Sequence, residues 1–149
     1  VSSSRIREYV RRGHLRHAQR FLGRAPRLYG TVVRGAGRGR RLGCPTANLR
    51  LIPQVLPPRG VYAVMVEAAG RRWRGVMNLG VRPTFGRGPL TCEVHLLDFS
   101  GSLVGRPVTV SLAARLRGER RFATPEALSR QVRRDILHAR PLLARQSLS

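Results

Sequence analysis

The sequence contains no lysine; all 29 of its basic side chains are arginine. A P-loop kinase is thereby excluded, because the Walker A motif needs a lysine on the phosphates. Acids are scarce: Glu8, Glu67, Glu93, Asp98, Glu119, Glu126 and Asp135 are the only seven, which leaves a net charge of +22. Such a charge invites a nucleic-acid reading. The arginines, however, run from end to end rather than in one block. Their complete replacement of lysine fits the codon usage of a GC-rich genome better than selection for phosphate contacts, so nucleic acid is not expected as the main partner. The two cysteines, Cys44 and Cys92, have no metal-ligand spacing, and free cytosolic thiols are expected. No apolar run approaches a membrane span, and no signal-peptide pattern is present. These absences predict a soluble, cytoplasmic protein with no membrane partner.

The chain of 149 residues is long enough for one domain with its own core. It opens on Val1, which suits a fragment or a processed piece. Ser2 to Ser4 can cap a helix beginning near Arg5, and a second short helix is expected from Leu15 to Leu22, stopped by Gly23. Ala18, Phe21 and Leu22 give that helix an apolar side, which should dock. Arg24 to Arg27 reads as a joint. From Leu28 the pattern changes to strands: Leu28 to Gly35, Gly60 to Ala69, Trp73 to Leu79, Thr91 to Leu97 and Val108 to Leu116. Clusters of Gly and Pro separate them, and the turn at Ala69-Gly-Arg71 predicts a hairpin. Short strands punctuated in this way predict a mainly β fold, an antiparallel sheet closed into a small barrel, with helices only at the two ends. At the C-terminal end Thr124 suits an N-cap, Pro125 the first helical position and Glu126 the positive helix end. Leu128, Val132 and Ile136 predict the buried stripe, and Pro141 the end of the helix.

Two stretches carry candidate chemistry. Pro45 biases Cys44 toward an extended conformation. If the chain stays extended, Thr46 and Asn48 project from one face, a hydroxyl and an amide oxygen side by side, which suit Mg²⁺ as hard ligands. The plain alternative is a turn and a short strand. Upstream, the glycines in Arg34-Gly-Ala-Gly-Arg-Gly-Arg-Arg41 let backbone N–H groups approach phosphates. Along Thr91 to Leu97, alternation puts Cys92, Val94 and Leu96 on one face and Thr91, Glu93 and His95 on the other. Glu93 there is either a solvated acid or a general base. Asp98, its nearest rival, sits where the strand ends and suits a turn. His95 reads as a structural or rim residue, and Trp73 as a core or rim aromatic.

Gly43-Cys-Pro-Thr-Ala-Asn48 resembles the Pro-Thr-Ala-Asn motif of riboflavin kinases, placed after a Gly-rich loop as in that family. Gly60-Val-Tyr62, Asn78-Leu-Gly-Val-Arg-Pro-Thr84, Glu93-Val-His-Leu-Leu-Asp-Phe99 and Leu116-Arg117 resemble further family segments, in the family's order, across most of the chain. Cys44 departs from the larger apolar residue usual before the motif, and Val104 from a common Leu-Tyr-Gly. The resemblance implies a small closed Greek-key barrel over residues 28–149, with a C-terminal helix. It also implies ATP-dependent, Mg²⁺-dependent phosphorylation of riboflavin to FMN, with ADP as the second product.

In site terms the resemblance implies Glu93 as catalytic base and Thr46 and Asn48 as metal ligands. Phosphates would rest on backbone amides at Gly35, Gly37, Gly39 and Gly43. Arg117, in a flap, would stand near the phosphates, and Asn78 would shape a loop or touch the nucleotide. Ser3-Ser-Arg-Ile-Arg7 resembles the end of the adenylyltransferase domain of bifunctional FAD synthetases. Residues 1–27 are then the tail of a domain otherwise absent, plus a linker, and this chain is expected to stop at FMN. Two other classes remain open: a basic barrel that binds nucleic acid, and a flavin- or nucleotide-binding module without turnover.

Overall fold

The computed structural model describes residues 3–35, 45–81 and 89–145. Two short helices, α1 (Ser3–Arg11) and α2 (Leu15–Leu22), precede six strands: β1 (Arg27–Val33), β2 (Thr46–Leu51), β3 (Gly60–Ala68), β4 (Arg71–Val81), β5 (Leu90–Leu96) and β6 (Pro107–Arg117). A long helix, α3 (Pro125–Leu143), follows. Among the described residues no helix is long and apolar enough to cross a membrane.

Every strand pair is antiparallel, and the order β1-β2-β5-β4-β3-β6 closes on itself. Three consecutive strands with β2 returned beside β5 form a Greek key. Alternation decides what goes inside. Leu28, Val32, Ala47, Leu49, Tyr62, Val64, Met77, Leu79, Cys92, Val94, Val110 and Leu112 fill the barrel. β3 is apolar on both faces because α3 covers it from outside: Val61, Ala63 and Met65 pack with Val76, Ala139 and Leu143. β3 and β4 join through Ala69 (φ 52°) and Gly70 (φ 75°), a left-handed pair that matches the twist of a hairpin.

The expected helix boundaries hold at α2, where Gly23 adopts φ 75° and its N–H bonds the Gln19 carbonyl. The side chain of Thr124 accepts from the Ala127 N–H at 3.1 Å, with Pro125 opening α3. Two expectations for α3 need correction. Val132 of the expected stripe is buried and Ile136 packs against the outer cluster, but Leu128 is exposed, and the buried face continues through Asp135, Ala139 and Leu143. The helix also runs through Pro141 to Leu143. A proline so near the C-terminus costs one hydrogen bond, to a carbonyl on a turn where Leu137 already faces solvent. The C-terminal end is also supported from the barrel, since Arg74 Nε donates to the Leu143 carbonyl at 3.0 Å. In the N-terminal pair, Leu15 joins the core and Ala18 is buried, whereas Phe21 is partly exposed and stacks on Tyr9.

Cys92, inside the barrel, is a free thiol whose pKa is pushed up to about 12, first by burial and then by the Glu93 charge. In the unfolded chain a cysteine ionises near pH 8.5. From there to about pH 12 only the unfolded state releases this proton, so stability falls as pH rises, by up to about 1.4 kcal/mol per pH unit. Urea midpoints between pH 8 and 10 are expected to fall more steeply for the parent than for Cys92→Ala. Equal slopes would show that this thiol is not protected by the fold.

Candidate functional site

Ladder register gathers the candidate residues. Asn48 of β2 pairs with Glu93 of β5, and Glu93 with Asn78 of β4. The same level continues to Val33 of β1 on one side, and to Val61 of β3 and Arg117 of β6 on the other. Residues directly opposite in antiparallel strands hold their Cβ atoms about 4.5–5.5 Å apart. Their strand neighbours Ala47, Val94 and Met77 are core residues, so Asn48, Glu93 and Asn78 project from the outside of the barrel. One row above, Thr46 pairs with His95 and His95 with Val76, on the same outer face. The sequence expectation that Thr46 and Asn48 share a face is met, because Thr46–Leu51 is a strand.

Each side chain in this patch has distinct surroundings. Asn48 lies against Gly35: a Cβ at that glycine would collide with the Asn48 amide. Only glycine lets the backbone entering the Gly-rich segment come so close. Gly37, Gly39, Gly43 and Cys44 lie outside the described residues, as does Arg82-Pro-Thr84. Glu93 is half-buried, and no described residue gives its carboxylate a hydrogen bond or ion pair. Asn78 is exposed beside it. Asp98 is in the turn after β5 with φ 56°, where Arg140 reaches it at 3.3 Å, as expected of a turn residue.

α3 forms one wall. His95 is buried, and its Nδ1 stands 3.2 Å from the Thr46 hydroxyl. Burial pushes the imidazole pKa down, and the nearby Asp135 charge opposes that shift. Asp135, itself buried, accepts from Arg117 Nε at 3.0 Å and from Arg117 Nη2 at 2.9 Å, in a fork. Gln131 Nε2 also donates to it at 3.0 Å. Arg117 is thus held to the helix rather than directed outward, and its guanidinium also lies 5.7 Å from the Phe122 ring.

The segment between β6 and α3 leans back over β4. There Glu119 accepts from the Val81 N–H at 3.0 Å, pairs with Arg59 at 3.8 Å and crowds Gly80. A groove of about 400 Å³ lined by Tyr29, Ile52 and Glu67 opens at the β3–β4 hairpin end, away from this patch.

Sequence reading missed Asp135, Gln131 and Glu119 as parts of this neighbourhood. A signal existed for Asp135: it stands three residues after Val132 and four before Ala139, on the buried stripe of α3, where an unpaired acid is not tolerated. Glu119 carries no comparable pattern, because a loop sets its position.

Chemically, the patch places uncharged oxygen donors and a half-buried carboxylate on three neighbouring strands, with a close-approach glycine two residues past the end of β1. Neutral oxygens of this kind can ligate a hard cation, and a carboxylate can accept a proton. The family model described as flavokinase, riboflavin kinase, matches residues 22–143. A bifunctional riboflavin kinase/FMN adenylyltransferase of Pseudomonas fluorescens is 45% identical over 145 residues, covering 97% of this chain and 47% of the relative. The chain therefore spans about half the length of the curated relatives it matches. A Streptococcus pneumoniae structure described as a macrolide-efflux protein superposes with TM-score 0.84 at 34% identity, covering 94% of this chain and 46% of that one. The riboflavin kinase of Trypanosoma brucei shares the fold, with TM-score 0.55 at 23% identity and 82% of each chain covered.

The Arg117–Asp135 pair generates a prediction. Its side chains are 20% and 6% exposed, so removing one partner strands a charge. Asp135→Ala is expected to cost about 3 kcal/mol of stability, whereas Arg117→Met with Asp135→Leu recovers most of the loss. Denaturant titration checks both. A single variant as stable as the parent would show that the pair is solvated.

Proposed function

Because the chain belongs to the riboflavin kinase family, we propose that it transfers the γ-phosphoryl group of ATP to the riboflavin 5′-hydroxyl, giving FMN and ADP. The observation that carries this reading is the in-register row Asn48–Glu93–Asn78 across three strands. It sets the family's candidate metal ligand one strand away from its candidate base.

Phosphoryl transfer depends on position and charge neutralisation. The riboflavin oxygen bonds to the γ-phosphorus while the bond to the ADP oxygen breaks. Glu93 takes the hydroxyl proton as this happens, and its carboxylate has no described partner to compete for it. Backbone amides at Gly35, and at Gly37, Gly39 and Gly43 beyond it, hold the phosphates. Asn78 borders Glu93 and limits where the acceptor hydroxyl can sit. Arg117, committed to Asp135, anchors the flap at the phosphate side.

The donor set fits Mg²⁺. Thr46 and Asn48 offer neutral oxygens two residues apart on one face, and Mg²⁺ commonly takes few protein ligands and completes its shell with water and substrate phosphates. Among the described residues no three His, Cys, Asp or Glu side chains gather into a separate metal cage, which suits an ion that arrives with the nucleotide. Once bound, the ion offsets charge on the transferring phosphoryl oxygens.

Glu93→Gln is expected to keep riboflavin and ATP binding and to lose about 10²–10⁴ in kcat. FMN formation and flavin fluorescence quenching measure the two parts. A kcat within about threefold of the parent would remove the base role.

Residues 1–27 are proposed to be the tail of an adenylyltransferase domain joined to the kinase domain at 28–149. The bifunctional relative, about twice as long, supports this division. With excess ATP the product of this chain is expected to remain FMN. Appearance of FAD would overturn the assignment of residues 1–27.

A further inference from the structure

The Thr46 hydroxyl has one proton, and its lone pairs must face outward if it is to bind a cation. Its orientation is therefore set by whatever takes that proton. The register puts His95 directly opposite Thr46, and Nδ1 lies 3.2 Å from Oγ1. His95 is buried, so its ring has little freedom to turn away. Asp135, the charged group facing it from α3, is itself fixed by Arg117 and Gln131.

We propose that His95 is a positioning residue for Thr46: Nδ1 accepts a hydrogen bond from the Thr46 hydroxyl and so aims the Thr46 oxygen at the cation carried by the nucleotide. The inference rests on the reading of Thr46 as a metal ligand. It assigns His95 no contact with substrate. The ring nitrogen that carries the proton is then Nε2, since a neutral imidazole has one donor and one acceptor. This is the arrangement by which outer-shell partners orient the groups that touch a metal.

The test measures ADP binding to the 149-residue chain by calorimetry, with Mg²⁺ and with EDTA. The readout is the gain in ADP affinity that Mg²⁺ confers. His95→Leu is expected to reduce that gain by about tenfold, with binding in EDTA unchanged. His95→Asn, whose amide oxygen can stand near the place of Nδ1, is expected to keep most of it. In Thr46→Val the gain is lost, and adding His95→Leu changes nothing further.

A His95→Leu variant with the parent's gain would overturn the proposal, as would additive losses in the double variant. If His95→Leu does not fold, His95→Asn decides: retention of the gain supports the proposal, and its loss in a folded protein refutes it. If Thr46→Val keeps the gain, the metal reading itself fails, an outcome distinct from failure at His95 alone.

Discussion

Hydrogen-bond register across β2, β5 and β4 is the constraint on which the site depends. No single strand contains the proposed machinery. Asn48, Glu93 and Asn78 become neighbours only because the three strands pair at that level and in that order. A slip of one residue in β5 would turn Glu93 into the barrel and Val94 out of it. The apolar filling guards against this, because Cys92, Val94 and Leu96 are all buried. Packing inside the barrel thus enforces geometry outside it.

Closure contributes a second element, the outer wall. A barrel has an inside that fills itself, so its outer face is normally solvated. Here α3 covers part of that face, and the covered part is apolar at Val61, Ala63 and Met65. Where the cover reaches the polar patch, the buried groups are partnered: His95 with Thr46, and Asp135 with Arg117 and Gln131. Among the described residues no buried side-chain polar atom is left without a partner. The wall holds the neighbouring hydroxyl and guanidinium in fixed orientations, which mobile surface side chains could not keep.

Much of this was legible in the sequence. Period-two alternation exposed β5 and the face of Glu93. Turn residues marked the β3–β4 hairpin, and the cap residues marked the start of α3. The run after Pro45 reads as extended only conditionally and is not among the five strands expected from the sequence, yet it forms the sixth, β2. What stayed hidden required long-range contact. For His95 the sequence left a structural and a rim role open, and no local pattern shows that it is buried against the Thr46 hydroxyl. The partner of Arg117 was hidden for the same reason, because Asp135 lies on a helix well beyond it in the chain. Pro141 looked like a stop, because propensity does not register the barrel arginine supporting the final turn. The long-range ladder that makes Asn48, Glu93 and Asn78 adjacent is likewise invisible to any window along the chain.

The division between inner and outer faces has an evolutionary consequence. The side chains that determine whether the barrel persists, such as Leu49, Val94 and Met77, alternate with those proposed to act on ligand, and the two sets face opposite ways. Substitutions can therefore accumulate on either face with little penalty on the other, provided that no residue is inserted or deleted within a strand. Length changes belong in the connections between strands. A lineage of such barrels can drift in core composition, and even exchange all its lysines for arginines, while its chemistry stays in place. Arg117 and Asp135 are the place where the two sets meet, since this pair stands at the level of the proposed site and is also buried enough to matter for stability.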